Sequence, residues 1–159
     1  MRKLLKSIEI NAPVDRVYEF MTTPTNLPSI WPSLLAVANV ERRADGTNSF
    51  DWTYKMAGMH FHGHTRPLEV KQNQLVVMRS DEGIPNTFRW TYQPKGAGTL
   101  LTVEVEYSMP TPILGPIAEV VVAKKNDREL DTLLSNAKAT LEAAERPRVA
   151  APAAPPPAH

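Results

Sequence analysis

The sequence predicts an α+β fold: a curved antiparallel sheet of about seven strands wrapped around one long C-terminal helix, with an apolar pocket between them. Three observations predict it. Pro116–Glu145 contains no glycine, has no proline after Pro116, and is rich in Ala, Leu, Glu and Lys. Six segments in the middle of the chain alternate apolar and polar residues and are divided by turn signals. The opening reads as one strand followed by short helices, so the sheet and the long helix must bury each other's apolar faces.

Each element has a local reason. Leu4–Ile10 sets Ile8 and Ile10 against Ser7 and Glu9 in strand alternation. In Asn11-Ala12-Pro13, Asn11 can cap a helix and Pro13 suits a first turn. Val14, Val17, Tyr18 and Met21 then recur at helical spacing, a short helix with one buried face. Thr22–Pro32 carries Pro24, Pro28 and Pro32 and supports at most a broken second helix. The six middle strands are Ser33–Arg43, Thr47–Met56, Met59–Val70, Gln74–Asp81, Thr87–Gln93 and Thr99–Met109. Their short connections favour an antiparallel meander. A Pro-rich loop, Pro110–Pro116, leads into the final helix.

Of the 15 prolines, five lie between Pro147 and Pro157. Such a segment cannot bury enough apolar surface to offset its ordering entropy, so residues 1–145 form the expected domain and Arg146–His159 a flexible Ala/Pro-rich tail. The 159 residues carry a net charge of +1 and no strong basic patch, which argues against nucleic acid. The absence of cysteine excludes disulfides, thiolate metal sites and a cysteine nucleophile. The opening lacks a signal-length apolar run, and the apolar stretch Ile117–Ala123 is too short to span a bilayer. The expectation is a soluble, cytoplasmic protein without a transmembrane segment; transient membrane contact and oligomeric state stay open.

The turn at Ala57-Gly58 sets the register of the hairpin around it. Met56 then faces Met59, Tyr54 faces Phe61, Trp52 faces Gly63 and Phe50 faces Thr65. Phe50, Trp52, Tyr54, Met56, Met59 and Phe61 share one face; Asp51, Thr53, Lys55, His60, His62, His64 and Arg66 share the other. Phe88, Trp90 and Tyr92, and then Leu101, Val103, Val105, Tyr107 and Met109, continue the apolar face. Aromatic stripes usually just pack, but a face this rich in large aromatics and Met suits an adaptable pocket with a few polar handles. On the long helix, Ile117, Val120 and Val121 form one apolar stripe and Leu130, Leu134, Ala137 and Leu141 a second, offset one. Lys124, Asp127, Arg128 and Asp131 mark the crossover, as surface ion pairs or as a polar rim.

Element order and motifs together resemble the START-like (SRPBCC) superfamily, in its polyketide cyclase/dehydrase or lipid-transport branch. The matching pieces are Ser7–Phe20, Asn26–Pro32, Trp52–Gly58, Trp90–Pro94, Gly98–Tyr107 and the Pro-rich loop before the last helix, over residues 1–145. The resemblance implies the helix-grip fold and a deep pocket for a lipid, polyketide, quinone or isoprenoid. It does not imply an enzyme.

On this reading Trp52, Tyr54, Met56, Phe61, Trp90, Tyr92 and Tyr107 form the pocket wall, with Leu27, Trp31 and Ile113 near its mouth. No cofactor is called for. The leading function is binding or carrying a hydrophobic small molecule. One alternative is a cyclase/dehydratase-type enzyme in which Tyr54 or Tyr107 polarises a carbonyl and a helix carboxylate, Asp131, takes a proton. Another is an interaction module using His60, His62 and His64, which alternate along one strand face; two imidazoles there could share a metal, although the register puts them on the solvent side, away from the pocket.

Overall fold

The computed structural model describes residues 1–109 and 115–145. Among them the order is β1 (Arg2–Ile10), α1 (Val14–Met21), a single 3-10 turn (Pro24–Asn26), α2 (Leu27–Ile30), β2 (Leu34–Arg42), β3 (Asn48–Met56), β4 (Met59–Lys71), β5 (Leu75–Ser80), β6 (Asn86–Lys95), β7 (Gly98–Tyr107) and α3 (Pro116–Glu145). The strands form one antiparallel sheet in the order β1-β7-β6-β5-β4-β3-β2. This is a meander from β2 to β7 with β1 added at its far edge, the helix-grip arrangement. Ile113 and the tail 146–159 lie outside the described residues. No described helix is long and apolar enough to cross a membrane.

The β3–β4 register is the one set by the turn: Met56 pairs with Met59, Tyr54 with Phe61, Trp52 with Gly63 and Phe50 with Thr65. Ala57 (φ 53°) and Gly58 (φ 74°) both adopt the left-handed region that a two-residue hairpin turn with the right twist requires. Pro67 sits at a bulge in β4, where the ladder to β5 skips a residue and a missing N–H is tolerated.

Asn11 is not the cap of α1. Pro13 occupies the cap position without a side-chain bond, and the Asn11 backbone N–H instead donates to Glu142 of α3 at 3.0 Å. Val17 and Met21 of α1 are buried, and Tyr18 meets Tyr92 edge-on with ring centroids 5.1 Å apart. Pro28 and Pro32 limit α2 to a single turn, and the Thr99 hydroxyl ties the β1–α1 corner to β7 by donating to the Ala12 carbonyl at 2.8 Å.

The long helix corrects the two-stripe reading. Val122, Leu130, Leu133, Leu134, Ala137 and Leu141 are buried, whereas Ile117 is 84% exposed, Val121 62% and Val120 49%. At 100° per residue, positions 122, 126, 130, 133, 137 and 141 follow one line along the helix. The seam is therefore continuous, and it passes through the polar Asn126. The apolar residues at 117, 120 and 121 point away from it. Each large apolar side chain buried in the seam stabilises the docking by about 1.5–3 kcal/mol.

Side chains outside the seam fix the helix laterally. Lys6 of β1 donates to Asp127 at 3.1 Å and Asp131 at 3.3 Å. Lys138 donates to the Glu9 carbonyl at 2.7 Å, and Asn136 to the Ile30 carbonyl at 3.0 Å.

Gly63 faces the Trp52 indole so closely that a Cβ there would lie 2.2 Å from the ring and 2.8 Å from the Glu82 carbonyl oxygen. Gly63→Ala is expected to lower stability by about 1–3 kcal/mol or more through overpacking. Chemical denaturation checks this; an unchanged midpoint would contradict the Trp52–Gly63 packing.

Candidate functional site: a cavity between sheet and helix

The concave face of the sheet and α3 enclose a cavity of about 150 Å³. Leu27, Trp31, Trp52, Tyr54, Met56, Trp90, Tyr92 and Tyr107, all expected at the pocket, line it. Phe61 does not: it is half-buried against the core and pairs with the lining residue Tyr54, but on β4 the cavity reaches only Thr65. Met59, on the same face, is 38% exposed. The alternation assigned their side correctly, but sharing a side of the sheet does not put every residue of that side on the cavity.

The aromatic wall is continuous. Trp31 packs edge-on against Tyr54 (centroids 5.8 Å apart) and Phe88 (5.4 Å), and Phe88 stacks on Trp90 at 6.0 Å. Trp31 reaches this place because α2 ends at Ile30 and Pro32 forces the preceding residue into extended backbone. The segment is then pinned to α3, since the Ser33 N–H donates to the Glu129 carboxylate.

The lining is more polar than strand alternation alone indicates. Phe50, Thr65, Ser80, Asn86 and Tyr107 are successive partners across β3 to β7, so they form one row on the inner face. Thr65, Ser80 and Asn86 are buried. Trp52 Nε1–H donates to Ser80 Oγ at 2.9 Å, and Asn86 Nδ2 donates to the Ile84 carbonyl at 2.7 Å. On the helix side Asn126 Nδ2 donates to the Tyr107 hydroxyl at 3.2 Å. Thr65 was legible as the partner of Phe50; Ser80 and Asn86 required the ladders β4–β5 and β5–β6.

The tyrosines are held in their neutral form. Burial pushes the Tyr54 hydroxyl well above its ordinary range, with the Glu129 carboxylate adding to the effect and Trp31 and Ser33 opposing it. Burial also raises Tyr92, with Tyr18 contributing, and raises Tyr107 despite the opposing bond from Asn126. At neutral pH these hydroxyls are donors, not bases.

Asp131 is not brought to the tyrosines. It is exposed and, with Asp127, engaged by Lys6 outside the cavity. The carboxylate that does influence Tyr54 is Glu129, which sequence reasoning missed because its neighbours Ser33 and Tyr54 are far away in the chain.

His60, His62 and His64 lie exposed on the outer face of β4. His62 Nδ1 meets Thr53 Oγ1 at 3.0 Å, and His64 Nδ1 meets Asp51 Oδ1 at 2.7 Å. The Asp51 carboxyl, which also accepts from Asn39, is held below the usual range by Asn39 and then by His64. Among the described residues no three His, Asp or Glu side chains converge as a metal site.

A family model for polyketide cyclase/dehydrase and lipid transport proteins matches residues 1–142, and the chain belongs to that family. A START superfamily protein from Mycobacterium smegmatis superposes with a TM-score of 0.73 at 17% identity, covering 89% of this chain and 98% of that one. A protein from Thermus thermophilus gives 0.71 at 22% identity, covering 91% and 99%. The Zhui aromatase/cyclase from a Streptomyces species gives 0.67 at 17% identity, covering 91% and 98%. At these identities the likeness shows the shared fold. No curated protein sequence matches significantly.

Two outcomes follow from the site geometry. Ser80→Ala leaves the buried Trp52 N–H without its acceptor and is expected to cost about 1–3 kcal/mol by chemical denaturation, with little change in shape. The second concerns alkaline pH. All four tyrosines, Tyr18, Tyr54, Tyr92 and Tyr107, are raised in the folded chain. Their contribution to stability is full below the unfolded value of about 10 and is lost as pH rises above it. Ultraviolet titration is expected to show the two most strongly raised tyrosines, Tyr54 and Tyr92, ionising only together with unfolding; their free ionisation in the native chain near the ordinary pKa would contradict their burial.

Proposed function

We propose that this member of the polyketide cyclase/dehydrase and lipid transport family binds an uncharged, mostly apolar small molecule in the cavity between sheet and α3 and acts as a binder or carrier. One domain over residues 1–145 holds the site, with 146–159 as a tail. Work in the cytoplasm fits the lack of cysteine. The observation that carries the reading is the lining: among the described residues it contains no Asp, Glu, His, Lys or Arg, and its only ionisable groups are tyrosines. Proton transfer needs a group whose pKa lies near the working pH. Binding needs only apolar walls and a few oriented polar atoms.

Cavity size narrows the ligand. A volume of about 150 Å³ matches cavities that take one benzene-sized ring. A single-ring compound is favoured over a fused polyketide or a long lipid, which would need α3 or its flanking segments to move. Burying roughly 200 Å² of such a ligand supplies about 5 kcal/mol before the costs of association. Apolar burial alone therefore gives weak binding, and polar contacts must add selectivity.

The rival reading, a cyclase/dehydratase using Tyr54, draws support from the nearby Glu129 carboxylate. It would show as turnover that Tyr54→Phe abolishes while binding persists.

The test uses calorimetry with single-ring probes such as acetophenone, alongside mass spectrometry of gently purified protein for a retained molecule. Val76 lines the cavity beside Trp90, so Val76→Phe would place a ring inside it. Val76→Phe is expected to abolish probe binding while stability is kept or raised. Arg89→Ala, on the exposed outer face, is expected to change affinity less than about twofold. Equal effects of the two substitutions, or no binding of any single-ring probe, would sink the reading.

A further inference from the structure

The first half of α3 carries a face that the described residues leave uncovered. Ile117, Val120 and Val121 are exposed there, and so are Lys124, Lys125 and Arg128. At about 100° per residue, Ile117, Val120, Val121, Lys124 and Arg128 fall within one sector roughly 100° wide, on the side of the helix away from Val122 and the seam. The exposed large apolar side chains of the strands, Leu5, Leu35, Val40, Met59 and Leu68, are spread over β1, β2 and β4. Scattered ones of that kind are ordinary; three together on one helix face form a patch.

The charges beside the patch are sorted by sign. The acidic side chains along this stretch are engaged: Glu119 lies 4.0 Å from Arg2, Asp127 and Asp131 share Lys6 at 3.1 and 3.3 Å, and Glu129 accepts from the Ser33 N–H. Lys124, Lys125 and Arg128 have no ion pair among the described residues. The uncompensated charge around the apolar patch is therefore positive, on a chain whose net charge is only +1.

We infer that this face docks on an anionic membrane surface, with Ile117, Val120 and Val121 entering the boundary between headgroups and acyl chains and Lys124, Lys125 and Arg128 meeting lipid phosphates. A stable protein interface engages about 20 residues or more on each side, whereas shallow insertion of a helix face needs a few apolar side chains and a positive margin. Lys and Arg suit that margin because their stems lie along apolar surface while their heads stay in the polar layer. The place of the patch matters for a carrier. Val120, Ala123, Lys124 and Arg128 also line an open cleft against the start of β1. Two further walls of that cleft, Leu4 and Tyr107, are walls of the cavity as well. Docking therefore brings the cleft, with the cavity behind it, to the lipid surface, where apolar molecules concentrate.

The test is co-sedimentation of the full chain with vesicles of phosphatidylcholine mixed with phosphatidylglycerol, and with vesicles of phosphatidylcholine alone. Binding to the anionic vesicles is expected to be at least about tenfold tighter and to fall steeply between about 0.1 M and about 0.5 M salt. Each cation near the surface contributes about fivefold, so Lys124→Glu with Arg128→Glu is expected to weaken binding by at least about twentyfold. Lys55→Glu with Lys71→Glu makes the same charge change at exposed, unpaired positions of the sheet and is expected to change it less than about threefold. Ile117→Asp with Val121→Asp is expected to weaken binding by at least about tenfold. If the aspartate pair unsettles the start of α3, Ile117→Ser with Val121→Ser makes the same test. No binding to anionic vesicles, equal binding to both vesicle types, or equal effects of the helix and sheet charge reversals would overturn the inference. So would a chain that sediments as a dimer and becomes monomeric in the Ile117/Val121 variant, since the patch would then belong to a second copy. Acetophenone calorimetry on the same variants keeps the two readings apart: the patch lies outside the cavity, so loss of vesicle binding with probe binding intact strikes the docking face alone, and loss of probe binding in the unaltered chain strikes cavity binding alone.

Discussion

The seating of α3 on the concave face of the sheet is the constraint on which the rest depends. Leu133 and Ala137 are fully buried, and the seam they belong to runs without interruption from Val122 to Leu141. Its C-terminal half is wholly apolar and packs down as core. Its N-terminal half carries Asn126, which meets the Tyr107 hydroxyl rather than another apolar side chain. Polar groups hold the helix at this level, with Lys6 gripping Asp127 and Asp131 on the flank. One helix can therefore close a core at one end and roof a cavity at the other. The ion pairs are partly exposed and each contributes little to stability; their role is to fix where the helix lies.

Beneath that roof the polar groups are arranged by register. Because Phe50, Thr65, Ser80, Asn86 and Tyr107 fall in one cross-sheet row, the cavity floor carries a line of hydroxyls and an amide between aromatic rows. Gly63 opposite Trp52 gives the indole room to lie over the sheet, and from there it reaches Ser80. A bond between two inner-face residues on strands that are not adjacent links β3 to β5 across β4. Glycine, tryptophan and serine are one device: the first supplies space, the second shape and the third an acceptor.

Much of this was legible in the sequence because strand alternation and a two-residue turn leave little freedom. Once Ala57-Gly58 fixes the hairpin, the sides of Trp52, Tyr54, His62 and His64 follow, as do the cross-strand pairs Asp51–His64 and Thr53–His62. What periodicity cannot supply is position relative to other elements. Phe61 is on the correct face and pairs with the lining residue Tyr54, yet on β4 the cavity reaches only Thr65. Ile117, Val120 and Val121 have the spacing of a buried stripe, yet the seam runs through Val122 and Asn126 on the other side of the helix. An apolar stripe in a sequence does not say whether anything packs on it, and a polar residue within a seam hides the seam. Asp131 and Glu129 show the same limit for function. Both are acidic residues of α3 two positions apart, and only the partners brought by the fold, Lys6 for one and Ser33 for the other, place the first outside the cavity and the second beside Tyr54.

Family membership supplies the frame and leaves the chemistry to the inner face. Structures that share the fold at 17–22% identity keep the sheet and the helix while most side chains differ. Catalysis in such a frame would have to be built from groups that exchange protons near neutral pH. Here the tyrosine hydroxyls are driven the other way by burial, and the acidic side chains of α3 are engaged at its margins by Lys6 and by the Ser33 backbone. Neutral donors in a largely apolar cavity make poor bases and good recognition elements, because a hydrogen bond is electrostatically stronger there than in bulk water. The same burial that stops Tyr54 from acting as a base keeps its hydroxyl a neutral donor.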